Sequence, residues 1–417
     1  MRKREINHID DKTLKNWIED ESLTGFLMKK ADKIRREVYG DRVYVRGLIE
    51  VSNICKNDCY YCGIRKSNKN VKRYRLTKDE ILSAALFGYG IGFRTFVMQG
   101  GEDSKFTKDF MVDVIKSIKE KYPDVAITLS LGERSYEDYK AFYDAGADRY
   151  LLREETSNPS HYRNLHPEVM KLKNRQECLY NLKKIGYQVG GGFMVESPYQ
   201  TTDDLIKDIR FLEKIKPDMI GIGPYLVSHD TPFRDFKDGS FTKTLRLVSI
   251  LRIVFPYALI PATTALGTVN SKGRELGLKA GANVLMPNLS PKTAKNSYNL
   301  YDNKLNTGLE AAESKKDLEK EIDSFGYRIV DDRGDVVDFG EWLDCDFNNY
   351  NKGYDNCMNS ECFHGITKKD EPPTRLLKYY DIEKLRIVGI IVLTMIAIDI
   401  AWFDQKEDER GARLLVI

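Results

Sequence analysis

Short apolar runs rich in β-branched and aromatic residues alternate along the chain with longer amphipathic segments. The eight runs cover residues 42–52, 94–100, 125–132, 148–155, 188–195, 218–226, 258–265 and 282–288. Between them lie helical patterns, several of which open on a Ser, Thr or Asn cap, such as TKDEILSAALFGYG, SYEDYKAFYDAGA and NRQECLYNLKKIGY. Strands that alternate with helices pair in parallel, and eight such units close into a barrel. The pattern predicts an α/β fold, a (β/α)8 TIM barrel spanning about residues 42–305.

Two further segments flank the predicted barrel. Residues 1–41 are charged and are expected to form a helical extension. The barrel and its C-terminal closing segment are expected to occupy residues 42–345, and residues 346–417 form an atypical tail. A length of 417 residues suits either one barrel or two domains, so the division depends on the pattern and not on length.

Polar residues follow six of the predicted strands directly. They are the cysteine-rich loop after the first strand, QGGED after the second, SLGE after the third, REET after the fourth, PATT after the seventh and MPN after the eighth. In a TIM barrel, catalytic residues lie at the C-terminal ends of the strands. We therefore expect these scattered residues to form one site.

Composition narrows the class of protein. The chain has 66 basic and 63 acidic side chains, and this near balance predicts no strong electrostatic attraction to nucleic acid. The N-terminus mixes charges of both signs and lacks the apolar core of a secretory signal, so a cytoplasmic protein is expected. In that compartment the seven cysteines indicate metal or redox chemistry rather than disulfides.

Three of the cysteines, Cys55, Cys59 and Cys62, lie in the stretch SNICKNDCYYCGIR. A structural zinc site uses four nitrogen or sulfur ligands, and the next histidine is His161, so zinc is the weaker interpretation. An iron–sulfur cubane is ordinarily held by four thiolates. Three thiolates would leave one iron open to a ligand that is not protein, and three free thiols are the remaining alternative.

The CxxxCxxC spacing after a first barrel strand resembles that of the radical S-adenosylmethionine enzymes. The resemblance implies a 4Fe–4S cluster on Cys55, Cys59 and Cys62, whose open iron is chelated by S-adenosylmethionine. It also implies an enzyme that reductively cleaves S-adenosylmethionine to methionine and a 5′-deoxyadenosyl radical. A reducing electron donor would then be required as a partner.

Further blocks, in order, are similar to the HydE-type maturases of iron–iron hydrogenase. They include RGLIEVSNICKNDCYYCGIR, ADRYLLREETSNP, IPATTALGT and GANVLMPNLSP. The resemblance implies a role in assembling the two-iron part of the hydrogenase active site, alongside the partner maturases HydG and HydF. The implied substrate is a small iron–carbonyl–cyanide complex of cysteine.

The same resemblance implies roles for individual residues. A methionine amino group would be received by the GGE element, the adenine by an aromatic residue, the ribose by polar residues, and the methionine carboxylate by an arginine. The positions that match this cofactor set are Gly100, Gly101, Glu102, Tyr61, Ser130, Glu155 and Arg175.

A second set is expected to face the substrate. Arg153 lies two residues before Glu155, on the same strand face, and can bind a carboxylate or another anion. Thr263, Thr264, Met286 and Tyr301 are expected to form the far wall of the pocket. Without the resemblance, threonine on a strand is equally well explained as a β-former.

The chain departs from the HydE-type pattern after the fifth strand. Glu196 and Tyr199, in VESPYQT, stand where many relatives have glycines, which puts the usual approach of this backbone to the cofactor in doubt. Position 154 is Glu where some relatives have His. This side chain is expected to point to the opposite face from Glu155 and to matter less.

The tail raises separate questions. Cys345, Cys357 and Cys362, with His364, suit either a second metal site or free thiols. The apolar run 387–403 is at the short limit for a membrane span and contains Asp399. A membrane anchor, a buried or partner-binding helix and an appended segment all remain open.

Two other functions also remain open. A radical enzyme that acts on a small molecule, such as a relative of methylornithine synthase or biotin synthase, would share the barrel and the cysteine loop. An iron–sulfur carrier would bind a cluster without cleaving S-adenosylmethionine.

Overall fold

The barrel strands are parallel, as predicted. A computed structural model of the chain describes residues 6–304 and 311–337. Within these residues every ladder between strands is parallel. The strands are β1 Arg42–Val45, β2 Gly47–Ser52, β3 Thr95–Gly100, β4 Ala126–Ser130, β5 Arg149–Leu151, β6 Gln188–Gly191, β7 Met194–Val195, β8 Met219–Ile220, β9 Gly223–Pro224, β10 Val284–Leu285 and β11 Arg328–Val330.

The strands form a closed ring. Six of them are adjacent in the order β2-β3-β4-β5-β6-β8. Beyond β8, Met219 forms a bridge with Leu259, and Pro261 forms a bridge with Val284 of β10. β10 pairs with β1, which runs on into β2 and so completes the barrel. The predicted (β/α)8 barrel is confirmed.

The seventh predicted strand is wrong in extent. In residues 258–265 only Leu259 and Pro261 form isolated bridges. Pro261 has no N–H to donate to a ladder, and Thr263 already serves as the N-cap of the next helix. The fifth run is divided at Gly192, whose φ is +147° and where a Cβ would lie 2.0 Å from the Gly221 carbonyl oxygen.

Helices alternate with the strands around the ring. They are α1 Asp11–Glu19, α2 Thr24–Tyr39, α3 Lys78–Gly90, α4 Lys108–Lys121, α5 Tyr136–Asp144, α6 Pro159–Leu165, α7 Leu172–Ile185, α8 Thr202–Ile215, α9 Phe241–Val254, α10 Thr264–Val269, α11 Gly273–Lys279, α12 Lys292–Lys295 and α13 Ala311–Ser324. A 3₁₀ turn, Glu21–Leu23, separates α1 from α2. The predicted N-terminal helical extension is therefore present.

The helix caps explain where most helices begin. The side chains of Thr77, Thr107, Ser135 and Thr201 each accept a backbone N–H of the first turn. The cap predicted at Asn174 is wrong, because α7 begins two residues earlier and Lys171 in its N-cap position makes no side-chain cap bond.

The segment after β11 covers the N-terminal end of the barrel. The Arg149 guanidinium, at the start of β5, pairs with Asp335 at 2.6 Å and donates to the Arg333 carbonyl at 2.7 Å. Thr95, at the start of β3, donates to the same carbonyl at 2.6 Å. The opposite, C-terminal end of the barrel is the end at which the predicted site residues lie.

Several predictions concern residues outside the described ranges. These are Cys345, Cys357, Cys362 and His364, the apolar run 387–403, and the domain boundary after residue 345. Among the helices of residues 6–304 and 311–337, none has the length and apolar character needed to cross a membrane.

Candidate functional site

The cysteine loop follows β2 and is fixed by three different neighbours. The Lys56 N–H donates to the Glu102 carbonyl at 3.0 Å, the Tyr60 N–H to Leu165 at 3.0 Å, and the Gly63 N–H to Leu300 at 2.8 Å. A Cβ on Gly63 would lie 2.3 Å from the Asn299 carbonyl oxygen, so this close approach requires glycine. The backbone around the cysteines is therefore held on every side.

The thiols of Cys55, Cys59 and Cys62 are free and half-buried. Burial raises the pKa of all three thiols, that of Cys62 to about 12. The negative charges that Cys55 and Cys62 would carry as thiolates raise the pKa of Cys59 further. A metal binds the thiolate and releases the proton. Three such groups in one loop suit a cationic metal cluster.

One metal ion bound by three ligands needs their donor atoms to converge on a single point. No three Cys, His, Asp or Glu side chains converge in this way among the residues that the structure describes. A cluster that offers a separate iron to each thiolate requires no such convergence.

The GGE element lies directly against the first cysteine. Gly100 ends β3, and the Gly101 N–H donates to the Ser52 carbonyl at 3.0 Å. A Cβ on Gly101 would lie 2.3 Å from the Ile54 carbonyl oxygen and 2.8 Å from Cys55 Cβ. The Glu102 N–H donates to Cys55 Sγ at 3.4 Å. The end of β3 therefore contacts the cysteine loop through its backbone.

Glu102 belongs to a buried charge cluster with Arg175 and Glu133. Arg175 Nη2 lies 3.4 Å from Glu102 Oε1, and its Nε lies 3.0 Å from Glu133 Oε1. Burial lowers the pKa of Arg175, but the two carboxylates outweigh it and raise that pKa above its ordinary value. A second cation, the exposed Lys56, lies 3.2 Å from Glu102 Oε2.

A glycine provides the room for the Glu102 side chain. Gly132 has a φ of +73°, and a Cβ there would lie 2.0 Å from Glu102 Cγ. Ser130, two residues earlier, ends β4 and is half-buried beside Gln99 of β3. The end of β4 thus adjoins the same charge cluster.

Tyr61 is held by a histidine that the sequence did not single out. Its hydroxyl lies 3.2 Å from His166 Nε2, and the two rings meet edge to face at 5.4 Å. Burial lowers the pKa of His166 to about 3, so this imidazole is neutral. Its Nδ1 lies 3.0 Å from the Tyr162 carbonyl and donates to it, which leaves Nε2 to accept the Tyr61 hydroxyl proton.

Arg153 and Glu155 form an ion pair just beyond β5. Arg153 Nη2 lies 2.8 Å from Glu155 Oε2, although β5 ends at Leu151 and not at residue 155 as expected. Glu155 has a φ of +65°, and its N–H donates to the Gly192 carbonyl at 3.1 Å. Arg153 Nε is buried without a hydrogen-bond partner in the described structure, so it is available to an acceptor.

Three of the expected substrate residues line one cavity of about 470 Å³: Thr263, Thr264 and Met286. Thr263 Oγ1 is buried and has no hydrogen-bond partner among the described residues. Two glycines leave space at this wall. A Cβ on Gly223 would lie 3.2 Å from Thr263 Oγ1, and one on Gly221 would lie 3.9 Å from Arg153 Cδ.

Tyr301 was expected to line the same cavity, but it does not. It lines another of about 600 Å³ with His229, Asp302 and Lys304. Burial raises the pKa of Tyr301 to about 12, while the nearby Thr268 hydroxyl and Arg153 lower it. Because Thr268 also lines the threonine cavity, the Tyr301 hydroxyl lies between the two spaces.

Comparison with known proteins agrees with this geometry. A family model described as the radical SAM superfamily, after S-adenosylmethionine, matches residues 49–212. The FeFe-hydrogenase maturase subunit HydE from Thermotoga maritima is 47% identical over 288 residues, which are 69% of this chain and 82% of that protein. This chain belongs to the HydE family of radical SAM proteins.

Methylornithine synthases are also similar to this HydE-family chain. The 3-methylornithine synthase from Methanosarcina barkeri is 30% identical over 303 residues, covering 71% of the chain and 84% of that protein. A crystal structure of methylornithine synthase (PylB) matches with a TM-score of 0.69 and 26% identity, covering 78% of this chain and 95% of that one. The barrel is therefore common to both families.

The HydE-family chain has left-handed backbone at the two positions where the family pattern has glycines. Glu196 has a φ of +56° and Tyr199 a φ of +68°. Glu196 accepts the Ser240 N–H at 2.7 Å and pairs with Lys243, and these contacts offset the cost of the conformation. The loop thus retains a glycine-like path despite carrying two side chains.

Two buried groups beside the site were missed or underrated from the sequence. Glu154 is fully buried and accepts the Gly192 N–H at 2.9 Å, and burial raises its pKa to about 8. Glu50, on β2, forms a buried ion pair with Lys304 and accepts from the Asn288 amide at 2.8 Å. No local pattern marks either pair, because the partners lie far apart in the chain.

Proposed function

We propose that this protein reductively cleaves S-adenosylmethionine to a 5′-deoxyadenosyl radical and acts, as a HydE-type enzyme, in maturation of the iron–iron hydrogenase active site. One observation carries the proposal: three free thiols lie in one loop, and the first of them contacts the Glu102 backbone of the Glu102–Arg175 charge cluster. The 47% identity with the Thermotoga maritima maturase also supports the proposal.

The residues present fit the cofactors that the family implies. Cys55, Cys59 and Cys62 supply three thiolates, which leave one position of a 4Fe–4S cluster for S-adenosylmethionine. When bound, the reduced cluster supplies the electron that breaks the carbon–sulfur bond of the sulfonium.

The charge cluster is suited to an amino acid ligand. Glu102 and Glu133 place two carboxylates around the single buried guanidinium of Arg175, and the other cation at Glu102 is the exposed Lys56, whose place an ammonium group could take. Arg175 would bind the methionine carboxylate and Glu102 the amino group. Gly100 and Gly101 keep this strand end free of side chains, so the ligand meets backbone there.

The nucleoside would lie across the strand ends from this cluster. Tyr61, fixed by its bond to His166, would pack on the adenine. Glu155 would accept hydrogen bonds from the ribose hydroxyls, and the Ser130 hydroxyl would bond to the ribose or the methionine part. The Arg153 ion pair holds the Glu155 carboxylate in place at 2.8 Å, so that it need not reorganise when the ribose binds.

The substrate would lie on the threonine side of the barrel. An iron–carbonyl–cyanide complex of cysteine carries a carboxylate and other acceptors, and these match the unpartnered donors Thr263 Oγ1 and Arg153 Nε. Thr264 and Met286 line the same cavity, and Tyr301 would approach it through Thr268. The proposed partners are HydG and HydF together with a reducing electron donor, as the family resemblance implies.

The experiment that tests the proposal is anaerobic. Iron and sulfide are reconstituted, the protein is reduced with dithionite, and 5′-deoxyadenosine is quantified with and without the iron–carbonyl–cyanide cysteine complex. Strong stimulation by the complex supports the maturase function. Cleavage without stimulation favours a small-molecule radical enzyme, for which the similarity to methylornithine synthase is the specific observation. An intact cluster without any cleavage favours an iron–sulfur carrier.

A further inference from the structure

A strongly basic segment follows the cysteine loop directly. Residues 65–75, RKSNKNVKRYR, contain six cationic side chains and no acidic one. The whole chain has a net charge of only +3, so this density of positive charge is local. It begins three residues after Cys62.

The three arginines of this segment are used internally. Arg65 Nε pairs with Asp58 at 2.7 Å, and Arg75 Nε pairs with Asp103 at 2.5 Å. Arg73 donates to four backbone carbonyls at 2.6–2.8 Å, those of Asn53, Ile64, Arg65 and Asn68. The arginines therefore fasten the segment to the cysteine loop.

The other three cationic side chains of the segment are lysines. Lys66, Lys69 and Lys72 are exposed, and none of them has an ion-pair partner within the ranges that the structure describes. Two acidic side chains contact the segment between its ends: Asp230 accepts the Asn70 amide at 2.6 Å, and Asp58 accepts the Ser67 hydroxyl at 2.6 Å. The six cationic side chains of the segment therefore outnumber the three acidic side chains that contact it, those of Asp58, Asp103 and Asp230.

The lysines lie close to the thiols. The Lys66 N–H donates to the Asn57 carbonyl at 2.8 Å, and the Lys72 carbonyl accepts from the Asn53 amide at 2.9 Å. Asn53 and Asn57 flank Cys55 in the chain. Arg73 Nη1 also donates to the carbonyl of Ile64, two residues after Cys62, at 2.8 Å.

We propose that Lys66, Lys69 and Lys72 form the docking surface for an acidic one-electron carrier protein that reduces the cluster. The inference rests on the proposed function. In this encounter the carrier would lose one electron, and the cluster held by Cys55, Cys59 and Cys62 would gain it. Paired positive and negative surfaces accelerate association and orient the two proteins, and here they would bring the redox centre of the carrier to the cysteine loop.

The position of the lysines favours this occupant over other polyanions. Three lysines are few for a nucleic acid or a lipid surface, both of which engage extended arrays of cations. A redox partner needs only a small interface, provided that it lies close to the centre to be reduced. The hydrogen bonds to Asn53 and Asn57 meet that requirement.

The test compares two charge-reversal variants of the reconstituted full chain. The docking variant is Lys66→Glu, Lys69→Glu and Lys72→Glu. The control is Lys116→Glu, Lys207→Glu and Lys214→Glu, which changes the net charge equally at exposed positions of α4 and α8. The probe is an acidic 2Fe–2S ferredoxin, and the readouts are its binding by calorimetry and the rate of cluster reduction at low and high salt.

We expect the docking variant to lose about tenfold or more in reduction rate at low salt, with weaker binding and a flatter salt dependence. The control should stay within about twofold of the parent, because electrostatic steering depends on charge near the docking site. Reduction by dithionite, and the 5′-deoxyadenosine that follows, should be equal in all three proteins.

Equal rates for the docking and control variants with ferredoxin would overturn the inference. Tighter binding of the parent to duplex RNA or to phosphatidylserine vesicles than to ferredoxin would overturn it as well. Failure of the proposed function itself has a different result, since the parent would then form no 5′-deoxyadenosine even with dithionite.

Discussion

The Arg175 guanidinium lies 3.4 Å from Glu102 Oε1, and the Glu102 N–H lies 3.4 Å from Cys55 Sγ. Arg175 of α7 and Cys55, the first cysteine of the loop, are thus joined through Glu102, which lies two residues beyond β3. The amino acid part of S-adenosylmethionine and the open iron must meet at one place, and this glutamate marks it.

Replacing Arg175 tests that relationship. Arg175→Gln should raise the S-adenosylmethionine concentration for half-maximal cleavage by roughly ten- to a hundredfold, since a hydrogen bond to a charged group contributes about 1.5–3 kcal/mol. Lys173→Gln, on the exposed face of the same helix, is the control and should leave this concentration unchanged. If Arg175→Gln also leaves it unchanged, the arginine does not bind the cofactor.

The three cysteines should differ from the fourth described cysteine. Cys59→Ala should abolish cluster-dependent cleavage while the barrel stays folded, because the loop packs through its backbone hydrogen bonds. Cys178→Ala removes a buried thiol from α7 and should keep both the cluster and the activity. The measurements are iron per chain, circular dichroism and 5′-deoxyadenosine. Full cleavage by Cys59→Ala would refute the cluster assignment.

Gly101 tests the contact between strand end and cysteine loop. In Gly101→Ala the new methyl would lie 2.3 Å from the Ile54 carbonyl oxygen, so the loop must shift and the cluster should be retained poorly. Gly25→Ala, on α2, meets nothing within 4 Å and should stabilise the protein by about 0.5–1 kcal/mol. Iron retention during gel filtration distinguishes the two, and normal retention by Gly101→Ala would show that the close approach is dispensable.

Thr263→Val should uncouple cleavage from the substrate without unfolding the protein. The Thr263 hydroxyl is already buried without a partner in the described structure, so its loss costs no internal hydrogen bond. Thr128→Val removes a comparable unpartnered hydroxyl from β4 and serves as the control. We expect slow basal cleavage in both variants and substrate stimulation only in the control. Equal stimulation would remove Thr263 from the substrate site, and the double variant Thr263→Val, Thr264→Val extends the test.

Glu154 predicts a pH dependence of stability. Its pKa is raised from 4.5 to about 8, so the folded state keeps a proton that the unfolded state loses near pH 4.5. Stability from this group is therefore present at low pH and is lost as the pH rises to 8. Glu154→Gln keeps an acceptor for the Gly192 N–H and removes the titrating group.

The variant should gain stability over the parent by about 1.4 kcal/mol per pH unit between pH 5 and 8, and by a constant amount above that. The measurement is urea unfolding of the cluster-free protein at each pH, with Glu120→Gln on the surface of α4 as the control. A difference that does not change with pH would show that Glu154 is ionised throughout.

The strand and helix order was predictable because alternation of apolar runs and amphipathic segments depends only on neighbouring residues. The location of the site followed, since parallel strands bring their C-terminal ends together. Even so, the pattern over residues 258–265 overstated a strand, because Pro261 and the cap at Thr263 limit the pairing there.

The individual contacts were not predictable in the same way. His166 and Tyr61 lie 105 positions apart, and Lys304 and Glu50 lie 254 apart, so no local pattern connects either pair. Glu154 was expected to matter little, since the sequence indicates its strand face but not what covers that face. Tyr301 was expected beside the threonines but lines a neighbouring cavity, because the next residue in its loop, Asp302, contacts His229.

The central claim is that three thiolates leave one iron open to S-adenosylmethionine. The most direct measurement is the electron paramagnetic resonance spectrum of the reduced, reconstituted protein before and after S-adenosylmethionine is added. We predict a clear change of the cluster signal on addition in the parent, and a much weaker change at the same concentration in Arg175→Gln. A fully loaded, reduced cluster whose spectrum does not respond to saturating S-adenosylmethionine would contradict the claim.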